Sequence, residues 1–242
     1  MKNIAIILAG GIGGRLGHKK PKQFIKVAEK MIIEHTLEVF QKNSRIDEIF
    51  VVVHSDYMEL TENLTIRNQF SKVKKFIGGG AERSDSSMAA INATGEEANL
   101  LFHDAVRPFV NDRIIDDIID ALKTYNAVAL GMPATDTIHE VSNGFISNIP
   151  DRSKLRRAQS PQSFKLSTIK KAYEVALKDP LFKATDECGV VNKYLPKEKI
   201  YWIEGEECNF KITYKEDLFL ADKLLQMRST ELLKKDININ SE

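Results

Sequence analysis

At 242 residues, with 43% hydrophobic and 29% charged side chains, the chain can bury a full core and has the composition of an ordinary globular protein. A formal net charge of +1 gives no electrostatic reason to expect nucleic acid or an acidic membrane as partner, so any basic function must be local. Two cysteines, Cys188 and Cys208, are too few for a disulfide framework; they fit a reducing compartment and read as half-buried thiols.

The chain opens on an apolar run, Ile4–Leu8, that leads directly into Ala9-Gly-Gly-Ile-Gly-Gly-Arg-Leu-Gly17. The run is shorter than the apolar core of a signal peptide and no small-residue cleavage site follows it. No later stretch approaches a membrane span, so a soluble cytoplasmic protein is expected. A strand running into a glycine-rich basic loop is how an α/β protein makes a phosphate site, because glycines let backbone N–H groups turn toward an anion. Arg15 and Lys22 supply the countercharge: arginine can grip two phosphate oxygens and lysine acts as a point charge. The spacing is neither Walker A, since His18 and Lys19 follow Gly17, nor the Rossmann fingerprint, since Leu16 stands where a small residue is needed.

Further along, a helix is expected at Met31–Gln41, a strand at Ile49–Val53, a helix at Tyr57–Gln69 and a strand at Lys75–Ile77. Then come a helix at Arg83–Ala93, a strand at Asn99–His103, a helix at Asp112–Tyr125 and a strand at Ala127–Met132. This alternation predicts a doubly wound, mostly parallel (Rossmann-like) α/β sheet. Three loops, Gly10–Gly17, Gly78–Arg83 and His103–Pro108, would fall at the carboxyl ends of strands, the edge where such sheets bind ligands. Gly78–Ser87 would bring free N–H groups at a helix start, with Ser84 or Asp85 as N-cap. Asp104 faces the two phosphate-binding cations and is a natural carboxylate for Mg²⁺, although an ion pair with Arg107 is the structural alternative. His103 reads as a packed, hydrogen-bonded histidine. Lys211, between Phe210 and Ile212, reads on its own as a snorkelling lysine.

Residues 136–164 interrupt the pattern. Thr137–Val141 and Phe145–Ile149 read as a β-hairpin around Ser142-Asn143-Gly144, because Asn-Gly supplies the positive φ angles of a type I′ turn. The following Arg156–Gln162 has little apolar periodicity, so the whole excursion reads as a lid or a subunit-contact arm. A helix at Leu166–Leu177, a strand at Lys199–Ile203, a long helix at Lys215–Leu233 and a frayed polar tail from Lys234 complete one domain spanning 1–242 with an arm at about 136–164.

These loops resemble one family, the cytidylyltransferases of the isoprenoid and teichoic-acid type, which use CTP to convert a small polyol phosphate into a CDP-polyol and pyrophosphate. The resemblance rests on Leu8-Ala-Gly-Gly-x-Gly-x-Arg15, Pro21-Lys-Gln-Phe24, Gly79-Gly-x-x-Arg83-x-x-Ser86, and His103-Asp-Ala-Val-Arg-Pro108. Asp136-Thr-Ile138, Asp151-Arg152, Ser160-Pro-Gln162, Thr185-Asp186 and Phe210-Lys-Ile-Thr213 complete it. Together they span residues from about 4 to about 225 in the family's order. It implies that Arg15, Lys22 and Lys211 are catalytic. It further implies that Leu8, Ala9, Gly10, Gly11, Gly80, Arg83 and Ser86 meet the nucleotide, and that Asp104 binds Mg²⁺. Arg107, Thr137, Arg152 and Lys211 would surround the acceptor phosphate, Thr137 and Arg152 reaching over from the second subunit of a homodimer joined through the arm. Ala81 departs from an acidic residue usual in the family, and Ser160 from a threonine.

Two acceptors compete, D-ribitol 5-phosphate and 2-C-methyl-D-erythritol 4-phosphate. Leu8-Ala-Gly-Gly, Asp104-Ala-Val-Arg-Pro-Phe109 and Ser160-Pro-Gln-Ser-Phe164 look more like the ribitol type; Asp151-Arg-Ser-x-Leu155 suits the isoprenoid type equally. A NAD-dependent oxidoreductase would need an acidic residue about 20 positions beyond the glycine loop, and Asp56 lies too far. A catalytically silent CTP-binding regulator would bind the nucleotide without releasing pyrophosphate.

Overall fold

A computed structural model describes residues 1–11 and 20–239, with side chains to Arg228. Seven strands form one sheet: β1 (Lys2–Ala9), β4 (Glu48–Val53), β5 (Val73–Gly78), β6 (Ala98–Asp104), β7 (Ala127–Pro133), β10 (Arg156–Lys165) and β11 (Ile200–Glu204). Their spatial order is β11-β7-β10-β6-β1-β4-β5. Pairing is parallel except that β10 runs antiparallel to both its neighbours. Two short strands, β2 (Lys26–Val27) and β3 (Lys30–Met31), pair with each other, as do β8 (Glu140–Ser142) and β9 (Phe145–Asn148).

Helices α1 (Ile32–Lys42), α2 (Met58–Arg67) and α4 (Asp112–Ala121) cover one face; α3 (Arg83–Ala93), α5 (Leu166–Ala176) and α6 (Glu187–Tyr194) cover the other. The two-residue period of β1 divides its side chains between them. Ala5, Ile7 and Ala9 pack with Ile33, Leu37, Ile114 and Ile118, while Ile4 and Ile6 pack with Ile91, Ile169 and Val190. The final helix α7 (Lys215–Ile239) seals a third cluster, in which Ala221 and Leu225 meet Val27, Val106, Phe109 and Ile212. Among the described residues no helix is long and apolar enough to cross a membrane.

The expected doubly wound α/β sheet is present, and several boundaries differ for local reasons. Gln69 adopts φ 54°, which ends α2 at Arg67 rather than Gln69. The N-cap of α3 is Glu82 rather than Ser84 or Asp85; Asp85 sits three positions in and accepts from the Glu82 N–H at 2.9 Å, completing a capping box. The hairpin turn is as expected, with Asn143 at φ 51° and Gly144 at φ 83°, on shorter strands. The tail stays helical to Ile239.

The excursion itself is shorter than expected. Residues 156–164 belong to β10, between β6 and β7 near the middle of the sheet, so only about 134–155 leave the fold. Pro161 cannot donate to a ladder, and the register of β10 with β7 breaks between Gln159 and Ser163 around it.

Candidate active site

Because β4 and β6 flank β1 on opposite sides, the carboxyl end of β1 is a topological switch point. A cavity of about 360 Å³ opens there. It is lined from β1 and its loop by Leu8, Ala9, Gly10 and Gly11, from the β5–α3 loop by Gly80 and Glu82, and from the first turn of α3 by Arg83 and Ser86. Asp104 enters from β6, Lys22 from the segment before β2, and Lys211 from the run before α7. The two expected loops after β5 and β6, and the described start of the first at Gly10 and Gly11, thus converge on one edge.

Close backbone approach builds the floor. A side chain on Gly79 would stand 3.3 Å from the Gly10 Cα and 3.1 Å from the Ser86 hydroxyl. One on Gly80 would overlap the Asp85 side chain at 2.2 Å, so the capping box requires glycine there. Gln23, buried, donates from its amide to the Gly11 carbonyl at 3.0 Å and also to the Ala9 carbonyl, fixing the exit of β1.

Charge is the dominant feature of the walls. Asp104 is buried; its Oδ1 accepts from Arg83 at 2.6 Å, and its Oδ2 from Arg107 at 3.2 Å, with Lys211 Nζ 3.1 Å from the same oxygen. Burial alone would raise its pKa, but Arg83, Lys211 and Arg107 outweigh that and hold it far below the usual carboxylate range. Arg83 extends the cluster inward, its Nε and Nη2 lying 3.1 and 2.8 Å from the two carboxylate oxygens of Glu187. Lys22 donates from Nζ to the Ile212 carbonyl at 2.9 Å.

His103 is fully buried and supports this edge rather than serving it. Its Nε2 bonds the Arg107 carbonyl at 3.0 Å, so that nitrogen carries the proton; Nδ1 then accepts from the Ser160 hydroxyl at 3.0 Å. Ser160 Oγ in turn accepts from the Asp104 N–H at 3.1 Å. Burial pushes the imidazole pKa down to about 4. The imidazole is neutral and fully engaged, the packed histidine that was expected.

Other expected site residues fare differently. Arg15 lies outside the described residues. Lys211 is not simply a snorkelling lysine: it lines the cavity, where the ion pair of its Nζ with Asp104 Oδ2 at 3.1 Å turns the half-exposed side chain to the site. Arg107 does not line the cavity; beyond Asp104 it donates to the backbone carbonyls of Asn209 at 2.8 Å and Ala158 at 3.4 Å. Thr137 and Arg152 are exposed on the excursion, where Arg152 donates to the Thr135 carbonyl, and the chain does not bring them to its own cavity. Sequence reasoning missed Gln23 and Glu187. The first lay inside a quoted motif, and the second directly follows Thr185-Asp186.

For a divalent cation the described cavity lining offers two carboxylates, Glu82 and Asp104, and Asp104 is the one at the sheet edge among the cations. No group of three or more His, Cys, Asp and Glu suited to a metal occurs among the described residues. Asp104 Oδ1 accepts one hydrogen bond and Oδ2 faces two donors, which leaves lone-pair capacity on Oδ1. That donor set fits a cation arriving with phosphate oxygens, the usual habit of Mg²⁺, and not an all-protein cage.

The model of the IspD family, 2-C-methyl-D-erythritol 4-phosphate cytidylyltransferase, matches residues 3–227. The chain is 46% identical over 233 residues to the bifunctional ribulose 5-phosphate reductase/CDP-ribitol pyrophosphorylase of Haemophilus influenzae, covering 94% of this chain and 49% of that protein. It therefore spans about half of that relative. It is 38% identical to the 2-C-methyl-D-erythritol 4-phosphate cytidylyltransferase of Thermobifida fusca, over 92% of both chains. The crystal structure of 4-diphosphocytidyl-2C-methyl-D-erythritol synthase from Anaerococcus prevotii superposes with a TM-score of 0.81 at 27% identity, covering 93% of this chain and 98% of that one. An α/β sheet with a cation-walled cavity at its switch point, and relatives of this kind along nearly the whole chain, lead to one conclusion: the chain belongs to the IspD family of cytidylyltransferases and is a nucleotidyltransferase.

Proposed function

We propose that the enzyme transfers CMP from CTP to D-ribitol 5-phosphate, giving CDP-ribitol and pyrophosphate. The observation that carries the acceptor is the 46% identity with the Haemophilus protein named for CDP-ribitol, against 38–39% with relatives named for 2-C-methyl-D-erythritol 4-phosphate. The ribitol-like forms at Asp104–Phe109 and Ser160–Phe164 agree with it.

An acceptor phosphate has a second pKa near 6, so at neutral pH its oxygen is already a dianionic nucleophile. That oxygen attacks the α-phosphorus of CTP; the bond from the α-phosphorus to the bridging oxygen breaks, and pyrophosphate leaves with the electron pair. No proton has to move. The engaged, neutral His103 is consistent with a site that needs no general base. The requirement is alignment and charge neutralisation. Gly10, Gly11, Gly80 and Ser86 let the nucleotide approach the backbone, Arg83 borders it, and Lys22 and Lys211 face the triphosphate; the family resemblance gives Arg15 the same role. Mg²⁺, held by Asp104 together with phosphate oxygens, would neutralise charge on the leaving pyrophosphate.

The hairpin carries Val141, Phe145 and Ile146 exposed, Phe145 at 79%, which favours a second copy as its cover and Thr137 and Arg152 as acceptor ligands in the partner's site. Phe145→Glu should shift sedimentation from dimer to monomer and abolish turnover together; a fully active monomer would remove the arm from the site.

The decisive assay is Mg²⁺-dependent pyrophosphate release from CTP with each acceptor in parallel. Turnover with ribitol 5-phosphate alone is expected. Turnover with the erythritol phosphate alone would replace the proposed acceptor with that of the isoprenoid enzymes.

A further inference from the structure

Glu187 is the first residue of α6, fully buried and about a hundred positions from every partner it has on α3. Its Oε1 accepts from Arg83 Nε at 3.1 Å and from the Ser87 hydroxyl at 2.6 Å, and its Oε2 accepts from Arg83 Nη2 at 2.8 Å. The remaining arm of the same guanidinium, Nη1, reaches Asp104 Oδ1 at 2.6 Å. Arg83 is therefore a rigid bar with one end in a buried carboxylate and the other on the carboxylate at the sheet edge. A planar fork can span two carboxylates in this way, and a lysine cannot. The pair pushes the guanidinium pKa up against burial, so the charge on Arg83 is permanent.

The bar has two consequences for the cavity. Asp104 is held between Arg83 on one oxygen and Arg107 and Lys211 on the other, so its position depends on where Arg83 is anchored. The second concerns charge. Three cations surround Asp104, and Glu187 is the additional anion that turns one of them, Arg83, inward. Without it, Arg83 would carry a free positive fork toward the nucleotide and compete with Lys22 and Lys211 for the phosphates.

From this we infer that Glu187 is a positioning residue of the transfer reaction: it anchors Arg83, and through Arg83 fixes Asp104 and reserves the triphosphate for the lysines. The inference rests on the CTP-dependent reading of this cavity. It deepens that reading by adding a residue that touches no substrate.

The test is Glu187→Gln in the full-length enzyme, isosteric but neutral. In protein shown by its melting curve to be folded, kcat for pyrophosphate release should fall about 10- to 100-fold, the range for removing a buried partner of a site residue. KM for CTP should fall several-fold at the same time, because the released Arg83 binds phosphate unproductively. Merely structural damage would instead lower kcat in proportion to the folded fraction and leave KM alone. Arg83→Lys should reproduce the fall in kcat, and the double variant should be no worse than either single one.

Where Glu187→Gln does not fold, Ser87→Ala serves, since it keeps both charges and removes one hydrogen bond from the carboxylate. It should lower kcat several-fold with wild-type melting. Wild-type kcat and KM in folded Glu187→Gln, or a lowered melting temperature with wild-type kcat in Ser87→Ala, would overturn the inference. The wild-type enzyme is the internal control: if it released no pyrophosphate with any acceptor, the failure would belong to the proposed function and not to Glu187.

Discussion

Two buried acidic clusters in this fold use the same chemistry for opposite ends. At the start of α1, Glu34 accepts from the Met31 N–H at 2.8 Å, from Arg67 at 2.7 Å and from Asn68 at 2.8 Å. One carboxylate meets one guanidinium, which is itself 64% exposed, and every bond ties α1 to its own N-terminus or to the end of α2. At the sheet edge, two carboxylates meet Arg83, Arg107 and Lys211, so cations exceed anions and the surplus faces a cavity. Burial of an ion pair does not by itself mark a functional site, since structural pairs perturb their neighbours just as strongly. What separates the two clusters is that the cations of the second outnumber the carboxylates they pair with and two of them, Arg83 and Lys211, border open volume, a surface suited to a polyanion.

The largest effect that sharpens this contrast is at Lys22. Lys22→Ala removes a cation from the cavity wall and should lower kcat roughly 10²- to 10³-fold. Its cost to folding should stay at about 1 kcal/mol, the worth of the hydrogen bond that Nζ gives to the Ile212 carbonyl. Parallel pyrophosphate assays and urea titrations would measure both. Comparable losses in activity and stability would make Lys22 a structural residue and blur the distinction between the clusters.

Glu34→Gln should do the reverse. The amide nitrogen must face either the Met31 N–H or the Arg67 and Asn68 donors, leaving buried donors unmatched at a cost of about 1–3 kcal/mol. Turnover per folded molecule should not change. A fall in kcat without a fall in stability would mean that the helix cluster communicates with the site after all.

How far the sequence displayed these clusters depended on whether the needed partners were near in the chain. The glycine loops, Lys22 and Asp104 were legible because strand, loop and charge are contiguous. Glu187 was not: its partners are on α3, and only the packing of α6 against α5 and the sheet brings it there. β10 was hidden by composition. Ser160, Gln162 and Ser163 are buried in it, and Gln162 is satisfied by side-chain bonds to Asp186 at 2.8 Å and to the Cys188 N–H at 2.9 Å. Polar residues around a proline read as loop, whereas tertiary hydrogen bonds of Ser160 and Gln162 let these two stand in a central strand; the Ser163 hydroxyl is buried there without a partner among the described residues. Lys211 was ambiguous for a simpler reason. It adjoins buried Ile212 in a run with no strand to fix its side, and the carboxylate that draws it to the cavity, Asp104, lies about a hundred residues earlier.

The smallest expected effect is the pH dependence of the Glu34 contribution, and its sign follows from the surrounding donors. Burial alone would raise the Glu34 pKa, but the Met31 N–H, Asn68 and Arg67 outweigh it and the folded value lies below the ordinary 4.5. The folded state then binds the proton less readily than the unfolded chain, so stability rises with pH between those two values. The contribution is complete above about pH 4.5 and is lost as the pH falls through the folded value. Subtracting the stability of Glu34→Gln from that of the wild type cancels every other carboxylate that titrates in both proteins, including Asp104, because the clusters share no partners. The difference should be flat from about pH 7 to about pH 5 and then shrink toward acid. A difference that stayed constant down to about pH 3 would show that Glu34 acts through shape and not through charge, and the two clusters would then differ in kind as well as in use.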